Sequence, residues 1–342
     1  MNFILNYVLF LAKNITVLVT ILTILLFFTR ILQRKNKEKG DFKLTLLGEK
    51  YENIKKNILF LKMTPYEKKI WNQKNKKKQK KEMISNKKKY ITNKKIYLEE
   101  KMPTLYILNF KGDVHASAVS NLRKEISAIL TVAEKNDEVL LRLESSGGIV
   151  HGYGFAAFQL QRLRQKGIYL TIAIDKIAAS GGYMMASVAD HIMAAPFSII
   201  GSIGVVAQIP NFNRILKNNN IDVELHTAGK YKRTLTLFGE NTQESREKFC
   251  SELETTHNLF KKFIQEMRPS LNIDSVATGE YWFGSLALKK NLVDSINNSD
   301  DFLISKKNKF TLLEIKYVSK KNIIGNIINN IVKNIFSVIL NK

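Results

Sequence analysis

The chain has 342 residues, 54 Lys+Arg against 30 Asp+Glu, and 45% apolar residues. That apolar share suffices for a sizeable core and excludes global disorder, and the length suits one large domain or two ordinary ones. The single cysteine, Cys250, excludes a disulfide framework and any Cys-rich zinc or iron–sulfur site, and it reads as a small buried hydrophobe.

The net charge of +24 is uneven. Residues 31–100 hold 22 Lys+Arg and 8 Asp+Glu, whereas residues 101–342 hold 30 and 22. Lys, Asn and Ile are abundant throughout, so part of the charge reads as compositional drift and not as a nucleic-acid footprint.

Residues 3–29 are nearly all apolar, with Lys13 the one charge. The uncharged stretch 14–29 reaches only about 24 Å as a helix, against a hydrocarbon core of about 30 Å. A span therefore begins before Lys13, whose ammonium snorkels to an interface. No small-x-small cleavage site follows, and the run is long for a signal peptide, so residues 1–33 are read as an uncleaved membrane anchor. Arg30, Arg34, Lys35, Lys37 and Lys39 follow it, and the positive-inside rule places what comes next in the cytoplasm.

Residues 34–100 form a basic linker, helical or disordered, with KNKKKQKKE at 74–82 and no sustained apolar face. It reads as solvated, or as a polybasic segment on anionic lipid. Tyr66, Trp71 and Tyr90 are too sparse for base stacking, so no nucleic-acid partner is expected.

From residue 101 to 318 the texture is that of a folded domain. TLYILNF (104–110), EVLLRLES (138–145), IYLTIAID (168–175) and HIMAAP (191–196) read as strands. Residues 115–135, 151–166 and 179–190 read as helices between them. This alternation predicts an α/β domain with a largely parallel sheet. The uncharged run 192–207 holds Pro196, Gly201 and Gly204 and is read as buried sheet and loop, not a second span. Residues 242–267 form a long amphipathic helix opened by a Thr242 cap. Residues 319–342 are an amphipathic C-terminal helix with Ile pairs at 323/324, 327/328 and 331/332. It docks on the domain or a partner chain, or lies in the membrane interface.

Ser180, in IAASGGYMMA, follows a strand and opens a helix. The next amide, on Gly181, lies where unpaired N–H groups favour an anion. That suits a nucleophile with half an oxyanion hole, and equally a plain N-cap. Ser145-Ser146-Gly147-Gly148 ends another strand. If the two strands are neighbours in a parallel sheet, both turns share the edge where ligands bind. Of the histidines, His115, His151, His226 and His257 lack a flanking motif, and His191 reads as a satisfied core histidine. G-x-S-x-G is absent, so a Ser-His-Asp elbow is not expected. The alternative base is a desolvated lysine, with Lys230 and Lys232 in TAGKYKRTLT the candidates. Ser-x-x-Lys at 85–88 and 245–248 falls in the linker and on a helix flank, and G-x-G-x-x-A at 152–157 follows a loop; none of these carries weight.

RLESSGG (142–148), DKIAASGGYMMASVAD (175–190), FSIIGSIGVV (197–206) and TAGKYKRTLT (227–236) together resemble the membrane-bound serine proteases of the signal peptide peptidase A (protease IV) family. The resemblance covers nearly the whole chain. It implies a ClpP/crotonase-like spiral of ββα units and a Ser-Lys dyad. Ser180 matches the nucleophile and Lys232 the general base, with Lys230 at a variable position. Ser202 in GSIG matches a serine that orients the lysine. The oxyanion donors would be the N–H groups of Gly181 and Gly147. The family usually reads S-P-G-G where this chain has Ser146. Neither metal nor other cofactor is implied. Peptide or protein substrates, a lipid bilayer and a homo-oligomer are implied as partners, at the bacterial plasma (inner) membrane. The family's usual picture sets the protease outside the cytoplasm, against the charge rule; long domains translocate regardless of charge, which favours the periplasmic side.

Three other readings compete. A crotonase-like acyl-CoA enzyme would need a carboxylate base, and none stands out. A degenerate membrane scaffold fits the drift in composition but not the intact set of Ser180, Lys232 and Ser202. A basic nucleic-acid binder fits only the linker.

Overall fold

The computed structural model describes residues 5–17, 19, 20, 23, 40–92 and 102–319. Most of the anchor, the joints 34–39 and 93–101 of the linker, and the C-terminal helix lie outside the described residues. Among the described residues no helix is long and apolar enough to cross a membrane. The chain divides into two compact units, Met1–Lys43 with Lys316–Lys342, and Leu44–Ile315. In the first, the ring of Tyr317 meets Phe42 edge-on at 5.3 Å.

The strands in chain order are β1 Gly40–Leu46, β2 Thr104–Lys111, β3 Glu138–Glu144, β4 Tyr169–Ile174, β5 Ile177–Ala179, β6 His191–Ala194, β7 Ile199–Gly201, β8 Tyr281–Phe283, β9 Ser295–Ile296 and β10 Thr311–Ser319. The helices are α1 Leu47–Lys62, α2 Pro65–Thr92, α3 Val119–Val132, α4 Val150–Gln165, α5 Gly181–Ala186, α6 Asn213–Asn218, α7 Gln243–Met267, α8 Gly284–Lys289 and α9 Ser299–Lys306. The main sheet runs β1-β10-β2-β3-β4-β6-β9. Its pairs from β10 to β9 are all parallel. A small sheet, β5-β7-β8, lies beside it.

Parallel strands covered on both faces read as near-continuous apolar runs, which is why β2 and β3 are legible. Their side chains alternate between two cores. Leu108, Leu141 and Ile172 join the core under α3, α4 and α5. Ile107, Leu140 and Ala173 join a smaller core with Leu47 and Leu303, from α1 and α9. The apolar stripe of α3 is Leu122, Ile126 and Ile129, all buried.

Three sequence expectations need adjustment. The linker, read as helical or disordered, is helical over α1 and α2, but that reading held no strand: β1 opens the stretch and Leu47 is buried against the main sheet, so it is not uniformly solvated. The helix expected over 179–190 is α5, only six residues long, because turns at Val188 and Ala189 end it. Cys250 is exposed on α7, whose buried residues are Phe260 and Ile264. Other expectations match. The Thr242 hydroxyl accepts the Ser245 N–H at 3.2 Å, capping α7, and His191 Nε2 pairs with Ser295 Oγ at 2.8 Å. Ile200 and Ile203 of the 192–207 run are buried, although Val206 beyond them is 91% exposed.

An ion pair closes the end of α7 onto the sheet. Arg268 is 9% exposed and binds both carboxylate oxygens of Asp294, at 2.6 and 2.9 Å. Asp294 also accepts the Ile192 N–H at 2.7 Å. Burial opposes its ionisation, but the hydrogen bonds from Arg268 and Ile192 outweigh this and hold the carboxyl below the usual range. Removing one partner strands a buried charge, so Arg268→Ala is expected to cost about 3 kcal/mol in urea unfolding at pH 7. The folded carboxyl pKa is depressed, so the contribution is complete above the unfolded value of about 3.9. It is lost as pH falls through the folded value, and the gap between wild type and variant should narrow below about pH 4.

Candidate active site

Three chain segments meet at one edge of the two sheets. Beyond β3, Ser145 bridges to β5: its N–H donates to Ile177 O at 2.9 Å and its carbonyl accepts the Ala179 N–H at 3.0 Å. Strand β5 runs parallel to β7 with Ala179 opposite Gly201. Ser180 and Ser202 are therefore the next pair along, each just past its strand. Both have left-handed φ, 52° and 51°.

Ser180 sits at φ 52°, ψ −122°, a conformation that costs a non-glycine residue about 1–3 kcal/mol. Two hydrogen bonds hold it there. Its N–H donates to Gly201 O at 2.8 Å, and its carbonyl accepts the Met184 N–H at 3.0 Å. Its hydroxyl makes no capping bond to α5, which removes the plain N-cap reading. The Gly181 N–H, in the first turn of α5, meets no acceptor among the described residues. Ser202 is fixed by its own N–H, which donates to Glu280 O at 2.6 Å.

Glycines let these backbones touch. Gly147 has φ +90°, and a Cβ there would lie 2.7 Å from Ser180 Cβ and 2.9 Å from Gly181 N. A Cβ on Gly182 would lie 2.6 Å from Ser145 O, and one on Gly181 would overlap the Tyr153 ring. The sequence reading assigned an oxyanion donor to Gly147. In the structure that N–H is engaged, donating to Ser145 Oγ at 3.1 Å. The N–H of exposed Gly148 meets no acceptor among the described residues.

Ser180, Ser202, Gly147, Gly148 and Gly181 line one groove of about 900 Å³. Its other walls include Val114, Ile149, Met184 and Phe260, with His151 and Thr256 as polar groups. The sequence held no sign that His151 or Thr256 would sit there. Such a groove has largely apolar walls and offers the Gly148 and Gly181 N–H groups to an oxygen.

The lysines lie elsewhere. Lys232 is exposed in a turn whose N–H donates to Gly229 O at 3.1 Å, and it is not among the residues lining the groove. The structure thus brings together Ser180, Ser202 and both glycines, and leaves Lys232 outside. Lys230 pairs with Glu244 at 2.9 Å. Its hydrogen bond to Glu244, with Tyr231 beside it, holds its ammonium well above the usual lysine range. Around both lysines the chain exposes apolar residues: Ile215, Ile221, Leu225 and Phe238 are each about half exposed or more.

Comparison with known proteins identifies the family. The description "Peptidase family S49 N-terminal" matches residues 2–160, and "Peptidase family S49" matches residues 162–312. A protein named probable protease SohB from Buchnera aphidicola subsp. Schlechtendalia chinensis is 58% identical over 306 residues, 90% of this chain and 100% of that protein. Its namesake from Haemophilus influenzae is 47% identical over 319 residues, 93% of this chain and 90% of that protein. Among solved structures, a mutant of the 1510-N membrane-bound stomatin-specific protease with a substrate peptide aligns over 67% of this chain and 99% of its own. Its TM-score is 0.42 at 15% identity. On the strength of the sequence relatives, the chain belongs to peptidase family S49 and is a serine peptidase.

Proposed function

We propose that the chain is a membrane-anchored endopeptidase with Ser180 as nucleophile and Lys232 as general base. It would hydrolyse signal-peptide remnants or envelope polypeptides at the bacterial plasma (inner) membrane, with the catalytic domain on the periplasmic side. The apolar run 3–29 supports the anchor, and the two-sheet arrangement is in keeping with a ClpP/crotonase-like spiral. The observation that carries the reading is the placement of Ser180: an uncapped hydroxyl on a strained turn, next to an unfilled Gly181 N–H, in an apolar groove.

In this mechanism neutral Lys232 takes the Ser180 proton as Oγ attacks a peptide carbonyl. The oxyanion is held by the Gly181 N–H and one from the 146–148 loop. With the Gly147 N–H on Ser145, the Gly148 N–H is the loop donor. The C–N bond then breaks, and the lysine gives its proton to the departing amine. Water, deprotonated by the same lysine, opens the acyl-enzyme and releases the carboxyl product. Losing one oxyanion donor in such sites costs about 3 kcal/mol. Ser202 orients the lysine amine.

A lysine acts as base near neutral pH only when burial disfavours its ammonium form. In the single chain Lys232 is exposed. The proposal therefore includes a homo-oligomer that covers the apolar residues of segment 205–238 and places Lys232 beside Ser180. The same exposure favours the one rival reading, a scaffold of the same fold without catalysis.

Fluorophosphonate labelling of detergent-solubilised protein near pH 8 tests this. Ser180→Ala and Lys232→Ala should lose labelling, and Lys230→Ala should keep it within about threefold. Gly147→Ala combines a forbidden φ with a clash against Ser180. It should label at least about tenfold more slowly, because 1–3 kcal/mol of strain falls on the nucleophile. No labelling of folded wild type that sizes as an oligomer would turn the reading to the scaffold.

A further inference from the structure

We infer that Tyr153 is a positioning residue for the oxyanion side of this site, acting through Ser145 to hold the Ser146–Gly147 peptide and, through its ring, the Gly181 turn. The inference rests on Ser180 being the nucleophile.

Tyr153 and Ser145 are buried, at 0% and 2% exposure. The Tyr153 hydroxyl lies 2.8 Å from Asp113 O and 2.6 Å from Ser145 Oγ. A carbonyl oxygen only accepts, so the single phenol proton goes to Asp113 O. Ser145 must then donate its own proton to the Tyr153 oxygen. That leaves the Ser145 lone pairs free to accept the Gly147 N–H at 3.1 Å. The chain of donors therefore has one direction, from Gly147 N–H through Ser145 and Tyr153 to the Asp113 carbonyl. Burial, the leading influence on the phenol, raises its pKa, so it stays a donor across the working pH range.

The backbone of Gly112 packs directly on the Tyr153–Ser145 pair. A Cβ there would overlap the Tyr153 hydroxyl and lie 2.5 Å from Ser145 Oγ, so only glycine leaves room for the two hydroxyls. The Tyr153 ring meanwhile packs so tightly on Gly181 that any side chain there would overlap it. One residue thus touches both walls of the oxyanion site. The Gly147 N–H held on Ser145 and the Ile149 N–H held on Val114 O at 2.9 Å pin the turn on both sides of the Gly148 N–H, which keeps it in relation to that of Gly181. Nothing in the sequence marks Tyr153 for this task. It lies on α4, eight residues past Ser145, among the apolar positions Ala156, Ala157 and Leu160.

Removing the hydroxyl but not the ring isolates the effect. In full-length, detergent-solubilised protein, Tyr153→Phe and Ser145→Ala should each lower the maximal rate of fluorophosphonate modification by about tenfold. That is less than the loss of a whole donor, about 10²–10³. The half-saturating probe concentration and the final extent of labelling should stay within twofold of wild type. The double variant should be no slower than either single one, because both lie on one path. Hydrogen exchange of a peptide spanning 144–149 supplies a readout independent of catalysis, and the Gly147 amide should lose protection in both variants. A merely structural role would lower the final extent of labelling and leave the rate of the remainder unchanged, overturning the inference. Unchanged exchange in Tyr153→Phe would also overturn it. A wild type that fails to label would overturn the Ser180 reading and the catalytic part of this one; the hold on the loop is then decided by exchange alone.

Discussion

The site hangs on a short ladder of backbone hydrogen bonds that ties the end of β3 to β5 and the end of β5 to β7. Ser145 exchanges bonds with Ile177 and Ala179, and Ser180 N–H reaches Gly201 O. These bonds force two serines into left-handed backbone and bring two glycine-rich turns within contact distance. The strain at Ser180 and Ser202 persists because parallel strands with buried faces over-determine the path of the chain. Residues around the ladder, among them Ala178, Tyr183 and Met185, are fully buried. Without the ladder the hydroxyl of Ser180 would have no fixed relation to the Gly181 N–H.

Much of the domain was legible in the sequence, for physical reasons that differ from element to element. Strands β2, β3 and β4 are buried on both faces and so appear as apolar runs that composition alone reveals. The Thr242 cap was legible because capping is local chemistry. What failed was non-local. Phe42, Leu44 and Leu46 alternate like a strand, but the surrounding lysines hid that signal, and β1 went unread. Cys250 was assigned to the interior on residue type, whereas the face of α7 that carries it is turned to solvent. The length of α5 depends on how its end packs, which no local pattern records.

The candidate site divides along the same line. Ser180 and Gly181 were legible as a serine and an amide at a strand-to-helix turn, a local pattern that also suits a plain N-cap, and Ser202 was legible only through the resemblance of its surrounding string to a family. The engagement of Gly147 N–H by Ser145 was not legible, since it depends on a tyrosine from a different element. Lys232 was legible only through the resemblance of its surrounding string to a family. Its segment, with α6 as its one helix, exposes a series of large apolar side chains. In the proposed mechanism its place near the nucleophile rests on contacts beyond a single copy of the chain.

The proposed mechanism stands on Ser180 as the nucleophile of a working peptidase. Its most direct test is to react the oligomeric wild-type protein with a fluorophosphonate, digest it, and locate the adduct by mass spectrometry. One adduct per chain is expected, on the Ser180 oxygen within the IAASGGYMMA stretch. An adduct on Ser202 or another residue, or none on folded oligomer, would contradict it.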